Sequence, residues 1–524
     1  MMSELRPWDE GESILALIRA WPADADALEL PDEPPFDPSE LRWAAGAVEG
    51  LVARHALERG GEPDESGPVA TEIAGRLRRL AQSGGARERL AVYRIAQAED
   101  LLPHVDVVLE RLLPDVRART ALLPHARWLV TEARHRGPLK MGIALLGVCG
   151  DETDVATLTI LARHDEFTRY CCVAVTNLLV DPADALWEIA RTASGWGKIE
   201  AVERLARFAA DRPDIRRWLI TDGCANAVMD EYLGYVCATA GELATALAHD
   251  VDDALLDGAC MIVSALCDVG PAKGMDDYAD GPVAVRRLVA LLDDRCTTIP
   301  RLNTVLDLRG WLETEDDAER RERLAAHGWT DALRKSLRTR CQEMLARPEW
   351  PDRVRSAFAG GERPDAWMAS RLGRHLGLDL WDIAYERLLR EPLNLGLVVR
   401  VLQTSDDERL RRVLAWAEEA LLPQHVDAAP AHHLIGSTPD HALEAVVDRM
   451  RGRLYSERLT AAALRSPVFR VRRVGLDAVR GRPQNAWGQT VRDAVRALAA
   501  GDPDNGLRTQ ARALLASAGP ARGS

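Results

Sequence analysis

Residues 150–179 read GDETDVATLTILARHDEFTRYCCVAVTNLL, and this stretch decides the fold. Asp151 is placed to cap a first helix over 151–163, whose apolar side chains Val155, Leu158, Leu161 and Ala162 fall on one face. After a short acidic turn, a second helix is predicted over 166–180, with Phe167, Tyr170, Cys171, Ala174 and Leu178 on one stripe. A hairpin of two such helices leaves apolar surface bare unless a neighbouring hairpin covers it. Stacking is therefore required.

Working outward, helices are predicted over 139–148, from Asp181-Pro182 to Thr192, and over 196–209. Second-helix positions recur about every 28–31 residues, a period of stacked helical hairpins. The pattern returns near the C-terminus. In residues 466–481, SPVFRVRRVGLDAVRG, the stripe is Val468, Val471, Gly475, Ala478 and Val479, with Arg472 directly after Val471. In residues 502–516, DPDNGLRTQARALLA, it is Leu507, Ala511, Leu514 and Leu515, with Arg508 directly after Leu507. Strand-like alternation bounded by turn residues does not recur.

These three segments resemble HEAT repeats: a capped first helix, a short turn, and a second helix with an early arginine. The segments around residues 195–204 and 223–233 also resemble an uncharacterised bacterial family of HEAT-like proteins, some of which carry the name limonene hydroxylase. The resemblance implies an all-α fold, an α-solenoid of stacked antiparallel hairpins. It leaves function open, because such folds serve as scaffolds, regulators and a few enzymes. The expected organisation is an N-terminal arm or linker over 1–37, a first array over 38–345, a linker or irregular connection over 346–366, a second array over 367–516 and a tail over 517–524. Asp37, Pro38 and Glu40 predict a capped long helix running to about Arg59.

Composition narrows the function classes. A formal charge of −14 opposes wholesale coating of nucleic acid, whose affinity comes largely from lysine and arginine neutralising phosphates. The nine cysteines are scattered without a Cys-x-x-Cys pair, so neither a zinc ribbon nor a disulfide framework is indicated. The acidic N-terminus lacks the pattern of a signal peptide, and no apolar run approaches the roughly 20 residues of a membrane span. A cytoplasmic location is expected, with no membrane partner and an oligomeric state left open.

Candidate sites cluster in residues 195–241, GWGKIEAVERLARFAADRPDIRRWLITDGCANAVMDEYLGYVCATAG. Ile199, Val202, Leu205, Ala206 and Ala209 define a buried stripe, and Lys198 falls within it, where a lysine must snorkel or find a partner. Beside it stand Trp196 and, on a helix predicted within 222–235, Asn226, Asp230 and Glu231. Lys198, Asn226 and Asp230 converge if neighbouring hairpins share one concave face. A second binding set is Asn303, Arg309 and Trp311, with Asp307 between them. Arg470, Arg472, Arg473 and Arg508 belong to an arginine-rich C-terminal region read as a basic patch. The histidines at 425, 432, 433 and 441 match no metal-site spacing, and Asp276, Asp277 and Asp280 lack the order of a calcium loop. No catalytic residue, metal or cofactor is assigned.

The leading expectation is a non-catalytic scaffold or adaptor for a protein or peptide. The alternative is a HEAT-like enzyme or nucleic-acid-binding protein, similar in fold to the alkylpurine DNA glycosylases, with a groove near Trp196 and Lys198. A third resemblance, to the HEAT-like phycobilin lyases, has no specific residue behind it.

Overall fold

The computed structural model describes residues 7–9, 11–22, 28–34, 37–40, 42–52, 67–112, 114–268, 270, 272–315, 317–360, 363–424 and 430–516. Its regular elements are helices; among the described residues the sole β feature is an isolated bridge between His433 and Val468. Among the described residues no helix is long and apolar enough to cross a membrane. The chain divides into two compact units, one within residues 1–34 and 43–347, the other within 35–42 and 348–524.

In the first unit, α1 (Ile14–Ala20) is followed by α2 (Gly67–Ser83), α3 (Ala86–Ala98), α4 (Val105–Leu112) and α5 (Val116–Glu132). Within the expected arm, Ile14 and Ile18 of α1 are fully buried, and α1 packs on α5. The hairpins then follow: α6 (Arg136–Cys149), α7 (Val155–Leu161), α8 (Asp165–Leu178), α9 (Ala183–Thr192), α10 (Gly195–Leu205), α11 (Pro213–Trp218), α12 (Glu231–Ala240), α13 (Leu243–Ala246), α14 (Asp253–Cys267), α15 (Gly281–Arg295), α16 (Ile299–Glu313), α17 (Ala318–Ala326) and α18 (Asp331–Leu345). Each even-numbered helix from α6 to α16 packs on the next even-numbered one, ending at α18. That row is the α-solenoid expected from the apolar period. Leu158, Leu161, Phe167, Cys171 and Ala174 are all buried, as their stripes require.

The second unit repeats the plan with α19 (Trp350–Gly360), α20 (Arg363–His375), α21 (Trp381–Arg390), α22 (Leu395–Leu402), α23 (Asp407–Ala420), α24 (Thr438–Met450), α25 (Glu457–Arg465), α26 (Phe469–Arg480), α27 (Gln489–Gly501) and α28 (Asn505–Ala516). Here α22, α24 and α26 form one row and α23, α25 and α27 another. The residues expected to be irregular between the arrays, 346–366, contain α19, whose Trp350 and Val354 are fully buried.

The period read from sequence is realised as bonds between repeats. Arg472 pairs with Asp502 at 2.7 Å, Arg409 with Asp379 at 2.6 Å, Arg169 with Glu200 at 3.1 Å and Arg212 with Asp184 at 2.8 Å. The partners stand 30, 30, 31 and 28 residues apart. A second device recurs within hairpins: Arg216, Arg301, Arg320, Arg472 and Arg508 each donate to the carbonyl six residues earlier. Those carbonyls lie where one helix ends before the next begins, so the guanidinium satisfies an acceptor that the helix itself leaves open.

Two expected helices are not formed as read. At Asp37 the carboxylate accepts from Ser39 N at 2.8 Å and Ser39 Oγ at 2.7 Å, closing a local turn instead of capping a helix. The Pro38 carbonyl is taken by Leu434 N at 2.8 Å and Ile435 N at 3.0 Å. Gly46 then adopts φ +70°, and helical geometry begins only at Ala47 and the π turn Val48–Val52; residues 53–59 lie outside the described residues. Similarly, residues 224–230 are not helical, and α12 begins only at Glu231.

Candidate peptide-binding face

Charged side chains of α6, α8 and α10 meet on one face of the first unit. Lys140 of α6 lies beside Met141 in a helix that is otherwise apolar after Arg136, and is 8% exposed. Burial alone lowers a lysine pKa, but Nζ donates to Glu166 Oε1 at 2.6 Å and to Glu49 Oε1, and these two carboxylates hold it above its ordinary value. The contact with Lys140, against burial, keeps Glu166 below its ordinary value, with Arg136 as a second cation at 3.8 Å. A buried ammonium between two carboxylates is tolerable only because all three are paired.

Glu49 reaches Lys140 from a distant part of the chain, on the π turn that follows Gly46. Its backbone carbonyl accepts from Arg169 of α8 at 3.2 Å, and Gly46 N donates to Glu166 Oε2 at 3.4 Å. Arg169 also pairs with Glu200 of α10, which holds Arg204 at 2.6 Å. Gly50 lies on the Trp196 ring, where a Cβ would stand 3.0 Å from Cε3. The segment Gly46–Gly50 is thus gripped through one carboxylate, two backbone groups and one close backbone approach.

The Gly-Trp-Gly opening of α10 has its reason in Asp165. The Asp165 carboxylate accepts from the backbone N–H groups of Trp196 and Gly197 and from Ser194 Oγ at 3.4 Å, capping α10 from the neighbouring repeat. Gly195 has φ +51°, and a Cβ on it would overlap Asp165 Oδ2; a Cβ on Gly197 would overlap Thr168 Oγ1. Burial pushes the Asp165 carboxyl up to about 7 in spite of these donors. Next to it, His164 accepts from Glu166 N through Nδ1 at 3.3 Å, which leaves Nε2 to donate to the Leu28 carbonyl at 3.1 Å; burial lowers its pKa.

The residues singled out by sequence fall around the other side of α10. Lys198 Nζ donates to the Asp222 carbonyl at 3.1 Å and lies 5.8 Å from the Trp218 ring centroid. Burial lowers its pKa. Asn226 Nδ2 donates to the Gly195 carbonyl at 3.1 Å, and Asn226 N donates to Asp230 Oδ1 at 2.8 Å. Asn226 thus joins the loop 224–230 to α10 and is itself held by Asp230, whereas Lys198 reaches the π turn that precedes this loop. Burial raises the pKa of Asp230 and of Glu231, the latter also through a hydrogen bond with Asp268. Trp196 is 8% exposed, edge-on to Tyr232 at 5.5 Å, and offers no open face on which a base could stack.

The second predicted set is spread along α16. Asn303 Nδ2 donates to Asp307 at 2.8 Å, Arg309 pairs with Glu313 at 2.9 Å, and Trp311 Nε1 donates to Asp276 at 2.8 Å beneath Arg320. Asp276 therefore serves a junction between helices. The basic patch needs correction at Arg472, which is wholly buried with Asp502; Arg508 spends its guanidinium on the Asp502 and Pro503 carbonyls. Arg470 pairs with Glu444, and Arg473 lies over Phe469. A groove of about 630 Å³ between α24 and α26 is lined by Arg451, Arg470 and Arg473 but also by Glu444, Asp448 and Asp477. Of the histidines, 425 lies outside the described residues, and no metal-ligand group occurs among those described. The cysteines are free, with seven of the nine buried.

The chain matches no family model, and no curated protein matches it.

Proposed function

We propose that this chain is a HEAT-like scaffold or adaptor whose first unit binds a protein through a short peptide segment laid across α6, α8 and α10. The observation behind this reading is that the face already holds such a segment: Gly46–Gly50, gripped by Lys140, Glu166, Arg169 and Trp196. Peptide recognition elsewhere uses the same division of labour, with backbone contacts for affinity and one anchored side chain for register. Most other polar groups near the face serve the fold itself: Asp165 caps α10, Lys198 holds a π turn, and Asn226 and Asp230 hold a loop.

The test is capture by the full-length chain compared with Arg169→Glu, both verified as folded by circular dichroism. A protein retained by the wild type, lost by the variant, and rebound when both purified components are mixed supports the reading. Identical captured sets for both chains contradict it.

A further inference from the structure

We propose that Gly46–Gly50 is an intramolecular plug, and that the α6–α8–α10 face accepts in its place an acidic, glycine-flanked segment of a partner anchored by one carboxylate on Lys140. This rests on the scaffold reading and adds the partner's chemistry and its competition with the chain's own residues. Charge is the first support. Lys140 holds two carboxylates, Glu166 of the face and Glu49 of the plug, so removal of the plug leaves the buried ammonium with one of its two partners. That position favours a carboxylate-bearing ligand over a neutral one, because the buried ammonium would otherwise lose a partner.

The plug's own structure is the second support. Its described part passes from Ala47 into the π turn Val48–Val52, and its carboxylate and two of its backbone groups bond to side chains of other helices. Single π turns are rare and short. Within the segment, Gly50 N donates to the Gly46 carbonyl at 2.8 Å. The space over Trp196 is tight for anything larger than glycine, since a Cβ on Gly50 would stand 3.0 Å from Cε3 and 3.2 Å from Cβ of the tryptophan and the ring would have to give by a few tenths of an ångström. An incoming segment is therefore favoured by glycine directly after its acid. The plug is a competitor held at very high effective concentration, so any ligand in trans binds with an apparent affinity reduced by the fraction of open face.

The experiment uses a fluorescein-labelled peptide with the sequence of residues 44–52, AAGAVEGLV, and the same peptide with glutamine for its glutamate, titrated against full-length protein by anisotropy. The chain carrying Glu49→Ala should bind the glutamate peptide about tenfold or more tighter than wild type, because its own plug has lost its anchor. It should discriminate against the glutamine peptide by about tenfold. Adding Arg169→Ala should weaken binding again. Glu49→Gln, nearly isosteric, gives the same comparison should the alanine variant fail to fold. Folded Glu49 variants that bind no better than wild type, or that take both peptides equally, overturn the proposal. So does a chain that loses a captured protein through Arg169→Glu yet ignores the peptide, an outcome that leaves the scaffold reading standing.

Discussion

The Asp165 carboxylate occupies the space that a Cβ on Gly195 would need, and from there it caps the helix that Gly195 opens. The two residues belong to successive hairpins, so this cap is also a bond between repeats. Gly195→Ala brings a methyl against the carboxylate and forces a non-glycine residue to φ +51°. The left-handed conformation alone costs about 1–2 kcal/mol. We expect a loss of at least about 2 kcal/mol in urea unfolding with an unchanged slope. A loss below about 0.5 kcal/mol would show that the helix start relaxes without Asp165.

The same carboxyl gives a pH dependence. Its pKa in the folded chain, about 7, lies above its ordinary 3.8, so the folded state binds the proton more tightly. Its stabilising contribution is fully present below about pH 4 and is lost as pH rises through 7. Asp165→Asn cannot titrate. Stability measured for wild type minus variant should fall between pH 4 and pH 7, and a flat difference across that window would contradict the assignment.

Arg472 and Arg473 are adjacent in sequence and opposite in consequence. Arg472 is buried against Asp502, and its truncation to alanine leaves a buried carboxylate unpaired, at a cost of about 3–5 kcal/mol. Arg473→Ala, at an exposed position, should change stability by less than about 0.5 kcal/mol. Thermal unfolding of the two variants decides whether this region is stitched or merely basic.

Lys140→Met leaves Glu49 and Glu166 buried without their common partner, and destabilisation of about 3–5 kcal/mol is expected. Combining it with Glu49→Gln and Glu166→Gln should recover a large part of that loss, since the repulsion and the unpaired charge vanish together. A triple variant no more stable than the single one would place the damage in packing instead.

The stacked hairpins were legible because an apolar stripe at helical spacing is a local signal, and Asp151, Leu158, Phe167 and Ala174 announce it directly. The arginines at 472 and 508 were visible as following each stripe; that they are stitches and not a patch depends on carbonyls and on Asp502, which spacing does not reveal. Asn226 and Asp230 hydrogen-bond to each other in a loop and not on a helix, while Lys198 reaches the Asp222 carbonyl. The Glu49 cradle was missed. Its anchor stands 91 residues from Lys140, and that segment reads as ordinary helix. The available sign was Lys140 itself, a cation between Leu139 and Met141 in a helix otherwise apolar after Arg136, the same anomaly that flagged Lys198.

The most direct measurement is hydrogen exchange of the wild-type chain, followed by mass spectrometry over residues 46–50, with and without a saturating concentration of the 44–52 peptide. If the first unit is a peptide-binding face occupied by its own plug, the peptide accelerates exchange at the Gly50 amide, whose acceptor is the Gly46 carbonyl, as the plug leaves. Unchanged exchange there, at peptide concentrations that saturate the Glu49→Ala chain, would contradict the account.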